Sequence, residues 1–255
     1  TLIDLWNSRL PCPNFDVEIV LKPKSLRLHL VDCHRQLFYD RIDDYDLFIY
    51  TEDDIKLSPT VVGTYMEETR LLAETLKDHP TKKASDFNVG IVRYEYNYPA
   101  NVIIDDKTRH ATQNVTRVYW EHSGFERPVI PNCITTAVEN DDTLSSKYFT
   151  MKNHHQGMYL ATPDLLLAWK DRCDFHIASN RPGRGSQPTE GTQRVWMSSQ
   201  MLYGGRHCGV LQVLPKERSF GALTVWHLPN KNYRRVGNYR NRVFSDWTEV
   251  FDQPH

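Results

Sequence analysis

Nowhere in its 255 residues does the chain hold an apolar run of the roughly eighteen that a bilayer-spanning helix requires. Its start does not read as a secretory signal peptide either, although it opens at Thr1 rather than at a methionine, so neither absence speaks for the full gene product. An excess of one charge is also missing. With 31 Lys and Arg against 32 Asp and Glu the formal net charge is -1, which excludes a chain built mainly to neutralise nucleic-acid phosphates or an anionic membrane. The five cysteines, Cys12, Cys33, Cys133, Cys173 and Cys208, show no C-x-x-C spacing, which argues against a structural zinc site, and their odd number leaves at least one unpaired. What is present suffices for a full core. At 29.9 kDa and 40% hydrophobic residues, the chain can fold as one large domain or two coupled halves.

The most informative stretch runs from Asp46 to Leu57. Leu47, Phe48, Ile49 and Tyr50 form a short apolar run rich in β-formers, the pattern of an interior strand in an α/β sheet, and Glu52, Asp53 and Asp54 follow it. In open parallel sheets ligands collect beyond the carboxyl ends of the strands, so this triplet stands where a site is expected. Carboxylate oxygens suit Mg²⁺ or Mn²⁺, and a diphosphate can share the remaining coordination positions. Taken alone, the triplet reads first as a solvated loop ahead of a helix, because Ser58 and Pro59 are an N-cap and a first helical residue, and acidic residues there favour the helix dipole. Its company along the chain shifts that balance.

Phe15 to Leu21 alternates and predicts a strand ending at Lys22-Pro23. His34 to Tyr45 predicts a helix with Arg35 in its first turn, where it can reach a phosphate or hold the acidic loop, or be a surface arginine paired with a nearby Asp. Pro59 to Asp78 is the clearest helix, with Val62, Tyr65, Met66, Leu72, Ala73 and Leu76 as its apolar positions. Asn88 to Tyr94 predicts a second inner strand, completing a strand, acidic loop, helix, strand unit of βαβ type.

Further on, Asp105-Asp106 and Asn140-Asp141-Asp142 read as turns. His154 and His155 precede a strand at Met158, where adjacent side chains point to opposite faces and cannot easily share a metal, and Pro163 opens a helix. Asn180 to Thr189 has the composition of a loop that orders on substrate binding or of an idle surface loop. Glu190, at the start of the next helix, is either a general base or a helix-stabilising carboxylate. His227 ends a strand, there to complete a metal site as neutral imidazole or to hydrogen-bond within a packed end. Lys231, Arg234, Arg235, Arg240 and Arg242, interleaved with Tyr233 and Tyr239, can close over a diphosphate. They also resemble a single-strand nucleic-acid surface, a reading weakened by the neutral overall charge and the lack of an RNP-type motif.

In this order, Arg35 in a helix, Glu52-Asp53-Asp54 after a strand, the strand Val89 to Arg93, the segment from Gly157 to Leu160, Glu190 at a helix start and a late His227 resemble a GT-A type glycosyltransferase of exostosin-like flavour. The resemblance runs from about Val17 to about Arg235. It implies a mixed, mostly parallel central sheet flanked by helices in a single catalytic domain over 1–255. A donor- and metal-binding half would span 1–95, and an acceptor-side half with the tail 96–255. It also implies a UDP- or GDP-linked sugar donor, Mn²⁺ or Mg²⁺, and a glycan or glycoprotein hydroxyl acceptor. Asp54 would ligate the metal, Glu52 or Asp53 would contact ribose or metal, Arg35 and Arg234 the donor phosphates, His227 the metal from the far end, and Glu190 the acceptor or the anomeric carbon.

Two departures stand out: the triplet begins with Glu rather than Asp, and only about fifty residues precede it. A first nucleotide-binding βα unit is expected in that space, so either it is lacking or it lies ahead of Thr1. The implied location is the Golgi lumen, with Asn114-Val115-Thr116 as a glycosylation acceptor pattern and any membrane attachment through a segment outside this chain. The alternative location is the cytoplasm. Two other functional classes share the triplet. A nucleotidyltransferase or phosphohydrolase would require a second carboxylate strand, for which Asp105-Asp106 is the candidate, and a non-catalytic carbohydrate-binding relic would require none.

Overall fold

A computed structural model of the chain describes residues 4, 8, 15–96, 117–120, 134–135, 142–151, 156–177, 198, 201–203, 208–218, 221–229 and 245–246. The fold is mixed α/β. Its strands are β1 (Phe48–Thr51), β2 (Ile55–Lys56), β3 (Phe87–Val89), β4 (Val92–Tyr96), β5 (Arg117–Trp120), β6 (Ile134–Thr135), β7 (Tyr148–Met151), β8 (Met158–Ala161), β9 (Leu211–Pro215), β10 (Thr224–His227) and β11 (Ser245–Asp246). Its α-helices are α1 (Cys33–Asp40), α2 (Pro59–Leu76), α3 (Asp142–Lys147) and α4 (Pro163–Cys173).

The strands form three small sheets, β1-β8, β11-β5-β4-β10-β2 and β3-β9-β7-β6. Of the named strand pairs among the described residues, β3 with β9 and β4 with β10 are parallel and the other six antiparallel, so the expected mostly parallel sheet gives way to a largely antiparallel arrangement. β1 pairs antiparallel with β8, and β3 lies in a different sheet, so the expected βαβ unit does not close as one parallel pair.

The β1-β8 ribbon separates two cores. On β1, Phe48 and Tyr50 enter a cluster with Tyr159, Trp169 and Phe175, while Ile49 packs on the opposite cluster of Val61, Tyr65, Met158 and Leu160, as the period-two alternation of a strand requires. A two-stranded ribbon is marginal in water, and burial on both faces is what holds this one.

The expected strand over residues 88–94 is broken at Gly90 and Ile91, where the chain passes from the β3 sheet into the β4 sheet. The Gly90 N–H donates to the Val213 carbonyl at 2.7 Å, and a Cβ at this position would collide with Met151 Sδ. A continuous apolar run reads the same whether it serves one sheet or two.

In α2 the Ser58 hydroxyl caps the Val61 N–H at 3.3 Å with Pro59 in the first turn, as the sequence predicts. Its buried face is Val61, Thr64, Tyr65, Glu68, Leu72 and Leu76, which leaves the expected apolar positions Met66 and Ala73 exposed and turns Glu68 inward. Glu68 is neutralised there by the Arg218 guanidinium, whose Nε stands 2.7 Å from Oε1, and accepts from the Tyr148 hydroxyl at 3.3 Å. The helix expected to reach Tyr45 ends at Asp40, because Asp40, Asp43 and Asp44 would place negative charge at the negative end of the dipole. Phe15 to Leu21 is not a strand. It carries no regular secondary structure, and Phe15 and Leu21 lie open to solvent, so no apolar face covers the segment.

Candidate functional site

Glu52, Asp53 and Asp54 form the turn between β1 and β2, closed by the Ile55 N–H donating to the Glu52 carbonyl at 3.3 Å. Both ends of the triplet are tied to distant chain. The Glu52 N–H donates to the Gly157 carbonyl at 2.8 Å just ahead of β8, and the Leu228 N–H donates to the Asp54 carbonyl at 2.8 Å just beyond β10. Backbone bonds at each end fix where the side chains can point, which a solvated capping loop would not need.

β10 lies between β2 and β4, with His227 opposite Ile55 on one side and Val225 level with Arg93 on the other. In a parallel pair, residues at equal steps share a face, so two positions beyond Arg93 and Val225 come Glu95 and His227. There the His227 Nδ1 stands 2.6 Å from Glu95 Oε1 and its Nε2 stands 3.1 Å from Asp54 Oδ2. Glu95 is fully buried, His227 is 2% exposed, and Asp54 is 26% exposed, so the row runs from the sheet interior outward to solvent.

Arg93, on the same face of β4 as Glu95, reaches Glu52 with Nη1 3.6 Å from Oε2, while its own N–H donates to the buried Gln156 Oε1 at 2.7 Å. Gly157 makes this approach possible. Its φ of +71° lies in the left-handed region, and a Cβ there would stand 2.6 Å from Arg93 Nη1 and 3.0 Å from Glu52 Oε2. Asp53 is exposed at the crest of the turn. Four carboxylates, one guanidinium and one imidazole thus gather within a few residues of the sheet's end, with Glu52 facing Arg93 and Glu95 and Asp54 facing His227.

The structure therefore brings together Glu52, Asp54 and His227 of the expected site residues, with Asp53 beside them. Arg35 lies elsewhere. It is 1% exposed, paired with Asp32, 5.2 Å over the Phe175 ring and against Met201, and burial brings its guanidinium down to about 10. A guanidinium packed in this way is closed to a donor phosphate, so the expected phosphate contact is replaced by a core role. Glu190 and Arg234, like Asp105-Asp106, His154 and His155, fall outside the described residues.

Sequence reading missed the contributions of Arg93, Glu95 and Gln156. The available signal was Arg93 and Glu95 two apart in an otherwise apolar-aromatic strand, which puts both charges on one face. Two clefts also occur among the described residues. One of about 560 Å³ between α2 and β3 is walled by Met66, Leu72, Phe87 and Leu165, and one of about 310 Å³ beside α1 is lined by Lys22, His29, Asp32 and His176. Neither includes the acidic turn, and the first is largely apolar, so it is donor chemistry rather than cavity size that singles out the turn.

Compared with protein-family models, with curated protein sequences and with solved structures, the chain matches none of them.

Proposed function

We propose that the protein is a metal-dependent glycosyltransferase that moves a sugar from a UDP- or GDP-linked donor to a hydroxyl on a glycan or glycoprotein. The observation that carries this reading is the meeting of Asp54 and His227, 173 residues apart in sequence, at 3.1 Å on the rim of a sheet. An oxygen and an imidazole nitrogen side by side form a donor pair for Mn²⁺, and less readily for Mg²⁺. Among the described residues no group of three His, Cys, Asp or Glu forms a metal cage. An ion held by Asp54 and His227 would take its other positions from diphosphate oxygens and water, as such ions commonly do in phosphate chemistry.

When bound, that ion would neutralise charge growing on the departing diphosphate. The chain's own residues supply the rest. Asp53, exposed on the turn, is the proposed acceptor for a ribose hydroxyl. Glu52, held by Arg93, shapes the wall of the site rather than standing in open solvent. Glu190 is the proposed general base if the reaction inverts, taking the acceptor hydroxyl proton as that oxygen attacks the anomeric carbon. A secretory lumen suits the reading, since Cys173 and Cys208 are disulfide-bonded and Asn114-Val115-Thr116 is a glycosylation acceptor pattern. No described helix is long and apolar enough to cross a membrane.

The test is release of UDP or GDP from sugar nucleotides with and without Mn²⁺, together with the shift in melting temperature each ligand produces. The expected result is Mn²⁺-dependent release that falls by about 100-fold in Asp54→Ala. Full activity in that variant, or a preference for nucleoside triphosphates, would overturn the assignment.

A further inference from the structure

We infer that Glu95 is a positioning residue for His227, fixing its ring so that Nε2 faces Asp54. This deepens the metal reading above and rests on it. Glu95 is fully buried on β4 and 2.6 Å from the Nδ1 of a histidine that is itself buried on β10. A carboxylate taken wholly out of water is stable only with a strong donor, and ionised Glu95 can only accept, so the proton between these atoms belongs to Nδ1. That assignment leaves Nε2 as the ring atom directed toward Asp54 and the more open side of the row.

The backbone makes the arrangement rigid. Glu95 and His227 are neighbours in a parallel strand pair, and the Leu228 N–H to Asp54 carbonyl bond locks the turn to the same strand end. Here the buried carboxylate orients one nitrogen and the other is aimed at the outermost carboxylate of the row, as when a carboxylate orients a metal-ligating imidazole. Arg93, on the same strand face as Glu95, reaches Glu52 instead, so the two charges of β4 serve different members of the acidic turn.

The experiment measures Mn²⁺ affinity by the electron paramagnetic resonance signal of the free ion, on the full chain without any sugar nucleotide. In Glu95→Gln the side-chain shape is kept and the strong acceptor is lost. We expect affinity to fall about 10- to 100-fold while the urea midpoint of the metal-free protein stays near that of wild type, and Glu95→Asp to recover part of the loss. Equal Mn²⁺ affinity in wild type and Glu95→Gln overturns the inference and leaves the metal reading standing. No Mn²⁺ binding by wild type overturns both. Should Glu95→Gln fail to fold, nitrogen-15 spectra of the wild-type histidine rings decide instead. A His227 proton on Nδ1 supports the inference, and a neutral ring protonated on Nε2 overturns it.

Discussion

Gly157 sits directly against the Arg93 guanidinium, so close that a Cβ on the glycine would stand 2.6 Å from Nη1. The same Gly157 gives its carbonyl to the Glu52 N–H and has φ of +71°, so one residue sets both the backbone of the acidic turn and the space in which Arg93 meets Glu52. Gly157→Ala is expected to cost about 1–3 kcal/mol from the left-handed backbone alone. It should also push Arg93 away from Glu52, so Mn²⁺-dependent donor hydrolysis should fall along with the urea midpoint. A variant with wild-type values for both would show that the approach is not tight.

Arg35 and Asp32 make a testable contrast with the phosphate contact expected from sequence. Both are buried, at 1% and 7% exposure, and Arg35 lies over Phe175. Arg35→Met leaves the Asp32 carboxylate buried without its cation and is expected to cost about 3–5 kcal/mol, whereas Arg35→Met with Asp32→Asn should recover most of it. Denaturant unfolding of the single and double variants reads this directly. A phosphate-binding Arg35 would give the opposite pattern, weakened donor binding at unchanged stability.

The parts of the structure legible in sequence are those whose causes are local. The acidic turn follows a strand-to-polar boundary, and α2 follows from Ser58 and Pro59, so both stand close to where the sequence places them. The misplaced parts depend on chain far away. Glu68 turns inward because Arg218 arrives 150 residues later, and Glu95 is buried because His227 arrives 132 residues later. Gly90 looks like any glycine in an apolar run until Met151 and Gln212 crowd it. Within the site, residue types indicated which side chains suit a cation, and topology decided which of them meet.

His34 predicts a pH dependence. Its Nδ1 lies 2.5 Å from the Val31 carbonyl, which can only accept, so the proton sits on Nδ1 and Nε2 accepts from the Tyr159 hydroxyl at 2.8 Å. Burial brings the ring down to about 4, and its stacking on Tyr50 at 4.2 Å leaves little room for water. The folded value is below the unfolded value of about 6.5, so between the two the unfolded chain binds more protons. The contribution of His34 is full above about pH 6.5 and is lost as pH falls toward 4, on the order of 3 kcal/mol over that window. Urea midpoints from pH 8 to 4 should fall less steeply in His34→Gln than in wild type. Parallel slopes would place the acid sensitivity in other groups.

The Cys173–Cys208 disulfide joins the end of α4 to the chain before β9 and closes a span of 35 residues, within which lie the Asn180 to Thr189 segment and Glu190. Cross-linking restricts the unfolded chain more than the folded one, by about 3–4 kcal/mol for a loop of this length, provided the native packing is unstrained. Cys208 is buried among Trp169, Tyr203 and Val210, so alanine is a better replacement than serine, whose hydroxyl would need a partner there. The Cys173→Ala, Cys208→Ala pair is therefore expected to lower stability by about 2–4 kcal/mol, and reductant should bring wild type to a similar midpoint while leaving the double variant unchanged. If Glu190 is the general base, the looser span should also cost turnover at temperatures where the variant is still folded. Turnover that holds while stability falls would separate the disulfide's effect on folding from any effect on catalysis and count against placing the base in that span.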